Sequence, residues 1–239
     1  MTYTAILFDA GQTLLRVEPS PGVVYARVAA RYGISVATRT LEAEFRALWK
    51  QLRPTDDSDE ALRTSESLEE AWWRRFVAQV FERVGANSRL DSRFGPFFNE
   101  LYETFARPEV WHVFPDVQPA LDKLESLGLR CAVVSNWDAR LPGLLERLNL
   151  KSHFEFVLTS AEAGFRKPHP RIFAQALERL NLPAQEVVYV GDSLEDDVAG
   201  AERIGMMPLL IDRNSRSQNP AQCIRSLVEL PEWVELRGS

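Results

Sequence analysis

The stretch EVVYVGDSLEDDVAGAERIGMMPLLID, residues 186–212, reads as one β-α-β unit. EVVYVGD is an apolar run that closes on a glycine and an aspartate and reads as a strand. LEDDVAGAERIG carries acidic residues in its first turn and closes on glycine, as helices do. MPLLID then reads as a second strand. The same alternation extends backward to Trp111. VQPALDKLESLG reads as a helix, LRCAVVSN as a strand, RLPGLLERLNL as a helix, FEFVLTS as a strand and HPRIFAQALERLNL as a helix. This order predicts an α/β fold, a Rossmann-like doubly wound parallel sheet.

One more strand stands far upstream, TAILF at residues 4–8, ending at Asp9. Between it and the α/β region, helical periodicity dominates: VVYARVAARYG, LEAEFRALWKQL, SLEEAWWRRFVAQVFERVG and FFNELYETFA. Ser67 and Glu70 have capping-box spacing, and RPTDDSDEALRTSES (53–67) reads as a mobile link inside the block. The helical block is therefore an insertion. The expected domains are a core of 1–16 and 112–239 and an all-helical cap of 17–111. Trp72, Trp73, Phe76 and Phe81 are spaced as one helix face and are expected in the cap core. The tail after Asp212 is polar, then weakly helical.

The 239 residues are 45 % apolar and 26 % charged, with a net charge of −6 and no basic tract. That composition fits a soluble globular protein and argues against nucleic acid and anionic membranes as partners. No apolar run reaches the ~20 residues that span a bilayer, and no secretory signal is visible, so a cytoplasmic location is expected. Cys131 and Cys223 are isolated, and His112, His153 and His169 form no zinc pattern. Arginine outnumbers lysine 24 to 4, so a lysine inside a motif is a less casual occurrence.

Several expected strands end in polar residues: Asp9, then Ser135 and Asn136, then Asp192. In a parallel sheet these ends share the edge where ligands bind. Lys167 lies in the loop GFRKPHP, and Asp196 and Asp197 follow Asp192 within one turn. Carboxylate oxygens suit Mg²⁺. A lysine among them offsets their repulsion and can hold a phosphoryl oxygen.

The motifs FDAGQTL, VVSNWD, RKPHPRIF and VGDSLEDDVAGAERIGM together resemble the four ordered motifs of the haloacid dehalogenase-like (HAD) hydrolases. The resemblance covers the first 15 residues and about 112–212, and the helical block matches the small cap inserted after the family's first motif. It implies that Asp9 is a nucleophile attacking phosphorus, and that Asp9, Asp192 and the Gly11 carbonyl bind Mg²⁺. It further implies that Ser135 and Asn136 hold phosphoryl oxygens and that Lys167 bridges phosphate and Asp9. Asp197 or Asp196 would orient Lys167 and a metal-bound water. The backbone amides of Ala10 and Gly11 would form a small anion nest. The substrate implied is a small phosphorylated molecule. Thr13 stays outside the catalytic set, and Trp111, His112, Trp137, Asp138 and Arg140 are given packing or surface roles.

The family's phosphatases read Asp-x-Asp-Gly-Thr, and here Gly11 replaces the second aspartate, the group that protonates the leaving oxygen. Such an acid-base group contributes ~10²- to 10⁴-fold. Four readings stay open: a phosphatase that manages without it, a 2-haloacid dehalogenase, a P–C bond hydrolase, and a non-catalytic phosphate-ligand or interaction protein. The cap's sole lysine, Lys50, fits a bland helix surface, and Arg39 does not align with a dehalogenase cap arginine.

Overall fold

The computed structural model of the chain describes residues 3–52, 58–214 and 223–237. Residues 53–57 of the expected link and residues 215–222 of the tail lie outside them. Eight strands are described: β1 (Ala5–Phe8), β2 (Leu15–Val17), β3 (Trp111–Val113), β4 (Arg130–Ser135), β5 (Val157–Thr159), β6 (Val187–Gly191), β7 (Met207–Ile211) and β8 (Cys223–Ile224). Six of them form one sheet in the order β5-β4-β1-β6-β7-β8, and every pairing in it is parallel. The chain runs from the centre to the β5 edge, returns across β1, and continues outward through β6, β7 and β8. That reversal creates the crevice where parallel sheets of this kind hold ligands.

The sheet explains the apolar runs. All four residues of β1 and all five of β6 are buried, as strands covered on both faces must be. The helix Pro170–Leu180 lays Ile172, Phe173, Ala176 and Leu180 against one face. Its start is set by Pro170 and by His169, whose ring nitrogen accepts from the Arg171 amide at 3.1 Å. Its end is set by Asn181 in the left-handed conformation.

The chain divides into two compact units. The first is Met1–Arg16, Asp56–Glu66 and Val113–Ser239; the second is Val17–Thr55 and Ser67–His112. The second unit is helical and has its own aromatic core, with Tyr25, Phe76, Phe81 and Phe97 fully buried. Trp72 and Trp73 are only partly buried and pack on the outside of that core. Gly22 allows the helices Pro21–Arg31 and Thr38–Gln51 to touch. A Cβ there would stand 2.7 Å from the Glu42 nitrogen.

The described part of the first unit's middle segment, residues 58–66, differs from the sequence reading, which puts it inside the helical insertion. It groups with the first unit because its backbone pairs there. Thr64 N–H donates to the Gly164 carbonyl at 3.0 Å, and Arg166 N–H to that of Leu62 at 2.8 Å. The long helix begins at Glu66, so Ser67 lies within its first turn and is not its cap. The capping box is elsewhere, at Ser226 and Glu229 in the tail. The short strands β2, β3 and β8 have too few residues to show a period of two.

Gly200, on the helix Ala199–Arg203, faces Phe173 so closely that a Cβ would stand 2.6 Å from its ring. We expect Gly200→Ala to destabilise the protein by ~1–3 kcal/mol through overpacking. A urea titration followed by circular dichroism reads this as a lower midpoint at unchanged slope.

Candidate active site

Three neighbouring parallel strands bring the polar ends together. Phe8 of β1 is in register with Val133 of β4 and Val190 of β6. Asp9, Ser135 and Asp192 therefore emerge side by side at one sheet edge. Asp9 is buried, and its Oδ1 accepts from Ser135 Oγ at 2.8 Å and from Lys167 Nζ at 2.7 Å. Among the described residues nothing donates to Oδ2.

Lys167 is 3 % exposed, and its ammonium donates to three acceptors. They are Asp9 Oδ1, Asp197 Oδ1 at 2.6 Å and the Tyr189 hydroxyl at 2.8 Å. Tyr189 passes its own proton to the Val134 carbonyl at 2.6 Å, so its oxygen is free to accept. Burial disfavours the charged lysine, but the carboxylates of Asp197 and Asp9 and the Tyr189 hydroxyl outweigh that. Its pKa is held well above the usual lysine range. The lysine loop is clipped from below by Asn136. Its Oδ1 accepts from the Lys167 amide at 2.7 Å, and its Nδ2 donates to the Lys167 carbonyl at 3.1 Å.

The expected helix after Asp192 is not uniform. Leu194–Val198 is a π-helical turn, and only then does the α-helix begin at Ala199. Ser193 caps the turn, its hydroxyl accepting from the Asp196 amide at 3.1 Å. The wider turn brings Asp197 inward, where its Oδ2 accepts from the Ser193 amide at 3.0 Å and its Oδ1 from Lys167. Asp196 stays outside this cluster and Asp197 is in it. Gly191 permits the arrangement, since a Cβ there would lie 2.2 Å from the Asp197 carboxyl carbon.

The carboxylate oxygens of Asp9, Asp192 and Asp197 lie within 4.8 Å of one another. Burial, with the charge of Asp197, pushes the Asp9 carboxyl up, although Lys167 and Ser135 oppose it. The Asp192 side chain keeps contact with solvent. Even so, local burial and the charges of Asp9 and Asp197 push its carboxyl up to about 8. Crowded carboxylates of this kind fit a hard divalent cation. The Gly11 carbonyl accepts no hydrogen bond among the described residues, and the Ala10 and Gly11 amides donate none. The loop folds on itself through Leu14 and Leu15 amides to the Ala10 carbonyl, at 2.9 and 3.1 Å, leaving those groups open. Gln12 takes the left-handed conformation, with φ 61°, at the place where the family motif has glycine.

At position 11 there is room. A Cβ would meet only the Trp137 ring, at the ordinary distance of 3.7 Å. Thr13 is buried, and its hydroxyl has no partner among the described residues. Asp138 is buried and paired with Arg140 at 2.6 Å, a structural contact. Trp111 and His112 belong to the second unit. Tyr189 is the residue that sequence reasoning did not single out. In a strand buried on both faces, a tyrosine looks like another apolar residue.

A family model described as haloacid dehalogenase-like hydrolase matches residues 3–205. The haloacid dehalogenase-like hydrolase domain-containing protein 3 of Danio rerio is 35 % identical over 240 residues, covering 96 % of each chain. Among solved structures, a HAD phosphatase from Thermococcus onnurineus aligns with TM-score 0.66 at 29 % identity over 99 % of each chain. A 2-haloacid dehalogenase from Pseudomonas syringae pv. Tomato DC3000 aligns with TM-score 0.65 at 26 % identity over 100 % of each.

Tyr189→Phe removes one acceptor from a buried ammonium and one donor from the Val134 carbonyl. We expect a stability loss of ~1–3 kcal/mol, the cost of unsatisfied buried groups, with little change in packing volume. Guanidinium titration of both proteins measures it.

Proposed function

The chain belongs to the haloacid dehalogenase-like hydrolases, and from that premise we propose that it is a Mg²⁺-dependent phosphatase of small phosphorylated metabolites, acting through an aspartyl phosphate on Asp9. The observation that carries this reading is the clustering of the Asp9, Asp192 and Asp197 carboxylate oxygens within 4.8 Å of one another, beside Lys167. Asp192 is the metal carboxylate of the last motif, which a halide-releasing enzyme that works without Mg²⁺ does not need.

The residues divide the work as follows. Asp9 is the nucleophile. Its Oδ1 is held by Ser135 and Lys167, which leaves Oδ2 for attack on phosphorus. The P–O bond to the leaving group breaks, and water later cleaves the acyl phosphate to release phosphate and restore Asp9. The open amides of Ala10 and Gly11 receive phosphoryl oxygens, and the Ser135 hydroxyl, which donates to Asp9 Oδ1 in the free site, turns its one proton to a phosphoryl oxygen when substrate binds. Lys167 supplies positive charge and is aimed by Asp197, Tyr189 and Asn136. Asn136 thus acts on the lysine backbone rather than on substrate. Mg²⁺, held by Asp9, Asp192 and the Gly11 carbonyl, would offset the repulsion between nucleophile and phosphate.

Gly11 leaves the leaving oxygen without a neighbouring acid, so good leaving groups are favoured. We expect Mg²⁺-dependent hydrolysis of an aryl phosphate well above that of an alkyl phosphate, and none by Asp9→Asn. Release of chloride from a 2-haloacid that survives excess chelator, with no phosphate hydrolysis, would replace this reading by the dehalogenase one, which the absent acid at position 11 also suits.

The room at position 11 allows the acid to be returned. Gly11→Asp is expected to raise alkyl phosphate hydrolysis by ~10²-fold or more while changing aryl phosphate hydrolysis far less. Parallel kcat measurements on the two substrates decide it.

A further inference from the structure

Behind the Asp9 loop lies a second cluster that the proposed chemistry does not use. Arg213 follows β7, and its guanidinium lies over the Phe114 ring with its centre 3.8 Å from the ring centroid. One nitrogen, Nη2, donates to the Thr13 carbonyl at 2.7 Å, and the other, Nη1, to Asp116 Oδ2 at 2.7 Å. That same oxygen accepts from Ser226 Oγ and from the Leu227 amide, each at 2.8 Å. The adjoining carbonyl of the loop, Leu14, accepts from the Phe114 amide at 3.1 Å. The rear of the loop is thus tied down at two successive carbonyls, and its front offers the unpaired groups of Ala10 and Gly11.

We propose that Arg213 is a positioning residue that sets the register of the nucleophile loop through the Thr13 carbonyl. The arginine is itself preorganised. Its fork is planar, its plane rests on Phe114, and its second arm is held by a carboxylate with two further donors. Such a group can fix a loop tightly, whereas a flexible lysine cannot span both acceptors. The Thr13 carbonyl is two residues from Gly11 and four from Asp9, with the loop closed by the Leu14 and Leu15 amides in between. A tilt at Thr13 is therefore passed to the Gly11 carbonyl and to the two open amides. The inference rests on the reading of Asp9 as nucleophile for its catalytic consequence, but the restraint on the loop does not.

The test compares wild type with Arg213→Ala and Arg213→Lys in two measurements. Amide hydrogen exchange of residues 10–15 is referenced to the β4 strand of the same protein. Kinetic constants are taken on an aryl phosphate with saturating Mg²⁺, well below the melting temperature of each variant. For Arg213→Ala we expect loop exchange to rise about tenfold while β4 is unchanged. We also expect kcat to fall about tenfold or more, with KM within about threefold. Arg213→Lys should fall between. Exchange that stays at the wild-type level, or that rises equally in β4, overturns the proposal, as does a loosened loop with unchanged kcat. Wild type that hydrolyses no phosphate defeats the proposed function alone, and loop exchange then decides the role of Arg213.

Discussion

The site depends on one buried ammonium. Lys167 satisfies all three of its N–H donors on Asp9, Asp197 and Tyr189, the first from the end of β1 and the other two from β6 and the turn that follows it. A buried charge of this kind is tolerable only when its partners are fixed. Much of the surrounding architecture fixes them: Asn136 holds the lysine backbone, Ser193 holds Asp197, and the Val134 carbonyl turns the Tyr189 hydroxyl. With all three clustered carboxylates ionised, a single ammonium leaves an excess of negative charge. A divalent cation would balance that excess; burial first, and then the charges of Asp9 and Asp197, push the Asp192 carboxyl up.

The parts of the site that stand at strand ends were legible in the sequence. Asp9, Ser135 and Asp192 each close a buried apolar run, and a parallel sheet places such ends together. Lys167 was legible because lysine is scarce in this chain and its loop is distinctive. Asp196 and Asp197 could not be separated, since helical periodicity gives no warning of a π turn and the wider turn decides which one points inward. Tyr189 and Arg213 were hidden for related reasons. Strands covered on both faces lose their alternation, and a single arginine among 24 carries no signal of its own. The segment 58–66 joins the first unit through a few backbone bonds that leave no pattern in composition.

Gly11 and Gln12 stand where the family's phosphatase motif has aspartate and glycine, and their surroundings are informative. Gln12 takes the left-handed conformation that glycine adopts most readily, and position 11 has space for a Cβ. The Trp137 ring is the neighbour in contact range. At position 11 the departure removes a functional group and leaves space for its first carbon.

The parallel order of the sheet has a bearing on how the protein comes to exist at all. Asp9 meets Ser135 across 126 positions and Lys167 across 158. On a nascent chain the first carboxylate leaves the ribosome long before its counter-charges, and β1 has no neighbouring strand until β4 has been made. Pairings of such separation form late and slowly. The central strand of the sheet is thus made before both of its neighbours and is among the last to be enclosed. Until then the apolar tetrapeptide AILF lacks the strands that cover it, the kind of exposure that favours unwanted association before the fold is complete.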